Sequence, residues 1–456
     1  MKKRLCKERT GLVFFPAFDW AISPTHPERE ERLLYTRDQL FEEGIMDLPQ
    51  ILQLEPRLAE IKDIARVHFC VPDIEFQATK AHLIAAGSAI AIADSLMKGE
   101  IKNGFALVRP PGHHAMRVVH GNRGFCNINN EAVMVEHLRK VYGIKRLAII
   151  DTDVHHGDGT QDIYWHDPDV LFISFHQDGR TLFPGSGFMD ELGGPLAFGT
   201  TLNIPLPPGT TDEGILFVLD KLVLPVLDIF QPELVINSAG QDNHYKDPLA
   251  NMNFSTQGYA TLNKKLAPDI AVLEGGYSIE TALPYINMGI IMAMAGIDYS
   301  NLYEPDYYKY SFKEDSKRLK ILETMVEQLF EVFNKREVIQ ANNREKAGAF
   351  YERQRHIFYD TDGINEKQLE TVKVCPSCPG YITIDSQASH GRSKNSKIYC
   401  IVIPIQACSD CQEKAREKYE KKLMDNSGDF QYIYLQDRVA DNYRQYDCRK
   451  QKEIVL

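Results

Sequence analysis

No stretch of this 456-residue chain is apolar over the ~20 residues that a membrane-crossing helix needs, and Asp, Glu, Lys or Arg interrupt most runs. The basic opening MKKRLCKERT is not followed by an apolar segment, which argues against a secretory signal. Internal repeats and low-complexity tracts are absent. An excess of basic charge is missing too: a net charge of −11 argues against a general nucleic-acid surface, although local basic patches are compatible with it. These absences point to a soluble, cytoplasmic protein with no membrane partner.

Cysteine is present in an odd number, nine, and five of the nine fall between Cys375 and Cys411. Such clustering suggests a metal site rather than a secreted disulfide framework. Cys6, Cys70, Cys126 and Cys448 are scattered and read as ordinary thiols.

From residue 11 to about 300, short apolar runs alternate with helical patterns. Strands are expected at 11–15, 104–108, 146–150, 170–175, 234–237 and 270–274, and helices at 78–98, 130–142, 213–229 and 256–266. This alternation predicts an α/β fold with a mainly parallel sheet and helices on both faces. Residues 314–357 read as long charged helices that close this unit. The expected division is a first domain at 1–365 and a second at 371–456, the latter with β-type runs between two CxxC pairs.

Two strand ends carry most of the chemistry: Asp151-Thr152-Asp153-Val154-His155-His156-Gly157-Asp158-Gly159 and Ser238-Ala239-Gly240-Gln241-Asp242. Ligand sites in parallel sheets gather at the strands' carboxyl ends. Side chains alternate along a strand, so Asp151, Asp153 and His155 should project to one side. Asp153 and His155, joined by Asp242 from another strand, supply two carboxylates and an imidazole. That is an open three-ligand site for one divalent metal, zinc first, with ferrous iron compatible with the same donors. A dinuclear centre would need a second closely spaced carboxylate pair, but Asn243 and His244 follow Asp242 instead.

Other loops should emerge on the same edge. Arg109-Pro110-Pro111-Gly112-His113-His114 carries a histidine pair, Phe183-Pro184-Gly185-Ser186-Gly187 follows 170–175, and Gly275-Gly276-Tyr277 follows 270–274. Paired histidines can take up and deliver a proton, with Asp151 and Asp158 as their partners, and a tyrosine hydroxyl can donate to a developing oxyanion. Metal-assisted amide hydrolysis suits these parts.

RPPGHHA, GFCNINN, DTDVHHGDGT, FPGSG, SAGQD and LEGGY, in that order, resemble the histone deacetylase / acetoin-utilisation / acetylpolyamine amidohydrolase family over roughly residues 10–300. The resemblance implies an arginase/deacetylase-like three-layer α/β fold and a zinc-dependent deacetylase. It implies zinc ligands Asp153, His155 and Asp242, His114 as general base held by Asp158, and His113 as its companion held by Asp151. Tyr277 corresponds to the catalytic tyrosine, Phe125 and Phe183 to the walls of a lysine channel, and Gly124 to the carbonyl that accepts the substrate amide. A monovalent cation, K+, would map to Asp151 and Ser174. Leu249 stands where polyamine-selective members carry an acidic gatekeeper, which favours acyl-lysine. Asp73 is the candidate for a substrate-gripping rim aspartate, with an ordinary loop acid the favoured reading; His244 is expected to be a solvated surface histidine.

Cys375-Pro376-Ser377-Cys378 and Cys408-Ser409-Asp410-Cys411 enclose 29 residues and suggest a small zinc-ribbon-like β domain around a second, structural Zn2+. Between them, His390-Gly391-Arg392-Ser393-Lys394-Asn395-Ser396-Lys397 forms a basic loop. A solvated hairpin tip is the plain reading of this loop, beside binding to nucleic acid or an acidic partner; protein–protein contact, including self-association, is the third option for the domain. The expected function is hydrolysis of an acetylated amine, foremost an acetyl-lysine peptide. A small acetylated amine such as an acetylpolyamine is the alternative substrate, and a weakly active acyl-lysine binding protein the alternative class.

Overall fold

A computed structural model describes residues 5–307, 312–346, 350–390, 394–425 and 429–456. The first part of the chain supplies strands β1 (Thr10–Phe15), β2 (Ile51–Gln53), β3 (Phe69–Cys70), β4 (Asn103–Val108), β5 (Val118–Val119), β6 (Leu147–Asp151), β7 (Val170–Gln177), β8 (Thr201–Leu206), β9 (Leu234–Ala239) and β10 (Ile270–Leu273). Eight of these form one sheet in the order β2-β1-β4-β10-β9-β6-β7-β8, and every pairing in it is parallel. β3 and β5 pair separately.

The alternation along β4 shows how the layers arise. Phe105 and Leu107 enter one apolar cluster, while Ala106 and Val108 enter another on the opposite face. Helices Lys80–Met97 and Asn130–Tyr142 cover the second face; Thr256–Leu266, Leu283–Met294 and Ser316–Arg344 cover the first. Leu322, Met325, Val326, Leu329 and Phe333 form the buried stripe of the last helix, spaced at helical period. Burial on both faces explains why the strands are apolar throughout rather than alternating. The helix expected at 213–229 runs from Asp212 to Phe230 with a π-turn at Leu219–Val223. Pro225, which lacks an amide hydrogen, sits just beyond that turn.

The C-terminal part folds as a seven-stranded mixed sheet: β11 (Phe350–Tyr359), β12 (Ile364–Lys373), β13 (Ile382–His390), β14 (Lys394–Ile403), β15 (Tyr432–Asp437), β16 (Asn442–Asp447) and β17 (Lys452–Val455), paired in sequence order. All neighbours are antiparallel except β14 and β15, whose parallel crossover is the helix Ser409–Met424. This sheet is larger than two cysteine knuckles alone suggested. Its first strand begins where helix was expected: the helix ends at Arg344 and β11 begins at Phe350, and the expected division at 365–371 falls inside β12. The residues of β11 alternate between water and protein once β12 is beside them, a pattern that its many charges conceal. Gly391, Arg392 and Ser393 of the expected basic loop lie outside the described residues.

One face of the second sheet packs on the first part of the chain. Val372, Ile382, Ile384, Ile398, Cys400, Val402 and Tyr434 share an apolar cluster with Phe69, Val71 and Val118. Polar contacts seal this seam: Tyr434 Oη donates to the Cys70 carbonyl at 2.8 Å, Gln436 Nε2 to Ala65 O at 2.9 Å, and Tyr359 Oη to Val118 O at 2.9 Å. His166 meets Glu370, and Arg355 meets Asp162. The other face holds the Ser409–Met424 helix through Ala415 and Tyr419, together with the cysteine cluster.

Candidate active site

Five neighbouring strands of the parallel sheet, β4, β10, β9, β6 and β7, end in the loops that build the site. Adjacent strand ends in such a sheet leave a crevice at their carboxyl edge. Asp153, His155 and Asp242 come together there, with one ligand atom from each within 4.8 Å of the others. His155 Nδ1 lies 3.1 Å from Asp153 Oδ1 and 3.2 Å from Asp242 Oδ2.

The donor set fits a divalent metal. Asp242 Oδ2 is buried and makes no hydrogen bond, a costly state for a carboxylate oxygen unless a cation faces it. The surrounding backbone leaves no room for anything but glycine. A Cβ on Gly240 would sit 2.1 Å from Asp153 Oδ2, and one on Gly275 would sit 2.1 Å from Asp242 Oδ2.

The two histidines of the loop after β4 stand beside this triad, their ring centroids 4.0 Å apart. His113 Nδ1 donates to Asp151 Oδ2 at 3.0 Å and His114 Nδ1 to Asp158 Oδ1 at 2.8 Å. Glu274 Oε2 fixes the loop by accepting the amides of Gly112 and His113 at 2.7 and 3.0 Å. The environments of the two rings push them apart. Burial opposes a charge on His113, yet the carboxylates of Asp153 and Asp151 hold its pKa well above the usual histidine value. Burial and the charge of His113 push His114 down to about 3. Burial would also raise Asp158, but Arg123 and His114 outweigh it and hold that carboxyl well below its ordinary range.

Tyr277 is buried, and burial keeps its phenol protonated far above neutral pH. Its amide donates to Asp247 Oδ2 at 2.7 Å, and the Arg32 guanidinium lies 4.9 Å from its ring centroid. Phe125 stands edge-on to Tyr277 at 5.7 Å, and Phe183 edge-on to His114 at 5.2 Å. Gly124 is squeezed between them: a Cβ there would lie 2.3 Å from the His114 ring and 2.9 Å from Phe183. Phe125 adopts φ 71°, a left-handed conformation uncommon for a bulky residue and typical of sites held by their surroundings. Leu249 is half-buried, its amide bonded to Asp247 Oδ1 at 3.0 Å.

Three other expected residues have hydrogen-bond partners of their own. Asp73 caps the short helix Ile74–Gln77 by accepting the Phe76 amide at 2.9 Å, and its charge acts on Cys70, Tyr432 and Tyr434. His244 is not a solvated surface residue: it is 1% exposed, with Nε2 hydrogen-bonded to Glu304 Oε1 at 2.9 Å. Ser174 lies opposite Asp151 in the pairing of β6 with β7, and its hydroxyl bonds His176 Nδ1 at 2.9 Å. Glu274 and Arg32 were not anticipated. Arg32 donates to the carbonyls of Gly276 and Glu274 and so braces the loop that carries Tyr277. Only the position of Glu274 inside LEGGY could have drawn attention to it.

Cys375, Cys378, Cys408 and Cys411 form the second cluster, their sulfurs also within 4.8 Å of one another. Cys375 and Cys408 Sγ are 3.8 Å apart, too far for a disulfide and right for ligands around one ion. Cys400 is buried in β14, as an inert strand thiol should be.

The model of the histone deacetylase domain matches residues 73–290. A probable deacetylase of Archaeoglobus fulgidus is 45% identical over 327 residues, which are 66% of this chain and 90% of that protein. Histone deacetylase 14, chloroplastic, of Arabidopsis thaliana is 43% identical over 213 residues, 44% of this chain and 49% of that one. Among solved structures, the crystal structure of the HDA15 HD domain superposes with a TM-score of 0.63 at 26% identity, covering 74% of this chain and 98% of the other. The Asp-His-Asp triad at the carboxyl edge of a parallel sheet and these likenesses agree: the chain belongs to the histone deacetylase family and carries its zinc-dependent amidohydrolase site.

Proposed function

We propose that this protein removes the acyl group from an acylated lysine side chain. The observation that carries the reading is the pair of His–Asp couples set beside the Asp153–His155–Asp242 triad, with Tyr277 buried at the same edge. Asp153, His155 and Asp242 would hold zinc, which when bound would supply Lewis acidity toward the acyl carbonyl and a lowered pKa for water. His114, with Nδ1 committed to Asp158, keeps Nε2 for the proton removed from the attacking water and later returned to the leaving amine. His113, tied to Asp151 through Nδ1, lies beside His114 to stabilise negative charge as it develops. Tyr277 donates its hydroxyl proton to the oxyanion in a hydrogen bond. Phe125, Phe183 and the Gly124 backbone between them wall the alkyl part of the substrate from water. Leu249 supports an acyl-lysine over an acetylpolyamine, because an apolar side chain offers no counter-ion to a second amine.

The cluster of four cysteines suits a structural zinc. A monovalent cation beside Asp151 and Ser174 has only their neighbouring register in its favour. No helix among the described residues is long and apolar enough to cross a membrane, and cysteines that form no disulfide among the described residues fit a reducing compartment such as the cytoplasm.

The test is acetate release by the zinc-loaded protein from a matched acetyl-lysine peptide and an acetylpolyamine. Turnover of the peptide supports the reading. Preference for the polyamine overturns the role of Leu249, and turnover of neither overturns the acetyl-amine assignment.

A further inference from the structure

Arg123 precedes Gly124 and Phe125, is 7% exposed, and has no part in the reaction described above. Its guanidinium nevertheless joins three pieces of the site. Nε and Nη2 both donate to Asp158 Oδ2, at 3.0 and 2.5 Å, while Asp158 Oδ1 accepts from His114 Nδ1. Nη1 donates to the carbonyl of Phe358 in β11. The guanidinium carbon lies 5.2 Å from the centroid of Phe183.

The backbone on either side of Arg123 is clamped by the turn between β11 and β12. Asn122 N donates to Asp362 Oδ2 at 2.7 Å, and Gly124 N donates to Asp360 Oδ1 at 2.8 Å. Asp360 and Asp362 are themselves exposed, and with the Phe358 carbonyl their bonds tie the C-terminal sheet to the channel loop. A carboxylate with one oxygen on His114 can still turn about its own bond. An arginine fork on its second oxygen removes that freedom.

We propose that Arg123 is a positioning residue for His114, and that the β11–β12 turn holds Arg123 in place, so that the C-terminal sheet is a working part of the deacetylase site. The inference rests on reading His114 as the proton carrier. An ion pair that served stability alone would lower the melting temperature of a variant and leave the folded enzyme's kcat intact. A positioning residue changes kcat while leaving KM nearly alone.

The experiment uses the full chain loaded with zinc and compares R123M, R123K, D360A/D362A and the triple variant R123M/D360A/D362A on whichever acetylated substrate the wild type turns over. The expected result for R123M is a kcat lower by about tenfold or more, with KM within about twofold. R123K, which keeps the charge but not the fork, should recover part of the loss. D360A/D362A, at exposed positions that spare the fold, should show the same split to a smaller degree and add nothing to R123M. An unchanged kcat in R123M, an R123K no better than R123M, or full additivity overturns the proposal. A second readout needs no turnover: the downfield Nδ1 proton resonance of His114, identified by its loss in H114A. If that resonance moves or broadens in R123M, the positioning role stands even should the wild type deacetylate neither substrate, a result that defeats only the functional reading. If it is unmoved, the proposal fails.

Discussion

Gly275 and Asp242 are packed so closely that a methyl group on the first would lie 2.1 Å from Oδ2 of the second. The same methyl would lie 2.5 Å from Asp153 Oδ2, so two of the three proposed zinc ligands lean on one bare backbone position. The Gly275 amide donates to Asp153 Oδ2 at 2.7 Å, which turns the close approach into support. G275A should therefore bind zinc about tenfold or more less tightly and lose activity in proportion. Zinc titration against a competing chelator measures this; wild-type affinity in the variant would remove the steric argument.

Y277F removes a single oxygen and leaves the ring between Arg32 and Phe125. The expected loss is roughly 10²–10³ in kcat, with zinc content and melting temperature unchanged. Acetate release under saturating substrate reads the effect. A variant with near-normal turnover would show that the oxyanion is held by other groups.

Glu370 ties β12 to His166, and the pH dependence of that tie has a definite sign. Burial would raise its carboxyl, but His166, Arg353 and Arg355 bring it down to about 2 from 4.5. A carboxyl depressed on folding stabilises the native state above its unfolded pKa, and that contribution fades as pH falls from about 4.5 to about 2. E370Q should lose up to ~3 kcal/mol at pH 7 and show a flatter stability profile between those two pH values. Denaturant unfolding at several pH values provides the check. Parallel profiles for wild type and E370Q would contradict it.

Serine at Cys375 and Cys378 leaves two thiolates where four are needed. Bound zinc should fall from two ions per chain to one, with a loss of stability of several kcal/mol. Elemental analysis and thermal unfolding read both effects. Two retained ions would assign the second zinc to some other place.

The parts of the fold and site that could be read from the chain are those written in local patterns. β4, β6, β9 and β10 are short apolar runs ending in His, Asp or Gly-Tyr, and both the runs and their loops were recognisable without the structure. β8 was missed because Pro205 interrupts it, a residue that this position at the sheet edge tolerates. The helix Leu283–Met294 was missed because it is apolar nearly all round and so shows no period. Three-residue β2 is too short to leave a signal. The misread histidine, His244, has its partner Glu304 sixty residues away, and Arg123 meets Phe358 across 235 residues. Such contacts exist only after folding, so no local spacing could announce them.

The apolar seam between Val118, Val71 and Phe69 and the strands β12 to β15 bears on how this protein can be cut down in the laboratory. A chain ended after Arg344 would bare that seam to water and strip the carbonyls of Ala65, Cys70 and Val118 of their donors. Loss of turnover in such a fragment would report aggregation or a slackened active-site loop, not the removal of a partner-binding module. Point changes on the outer, helix-bearing face of the second sheet are the route to any separate role it has.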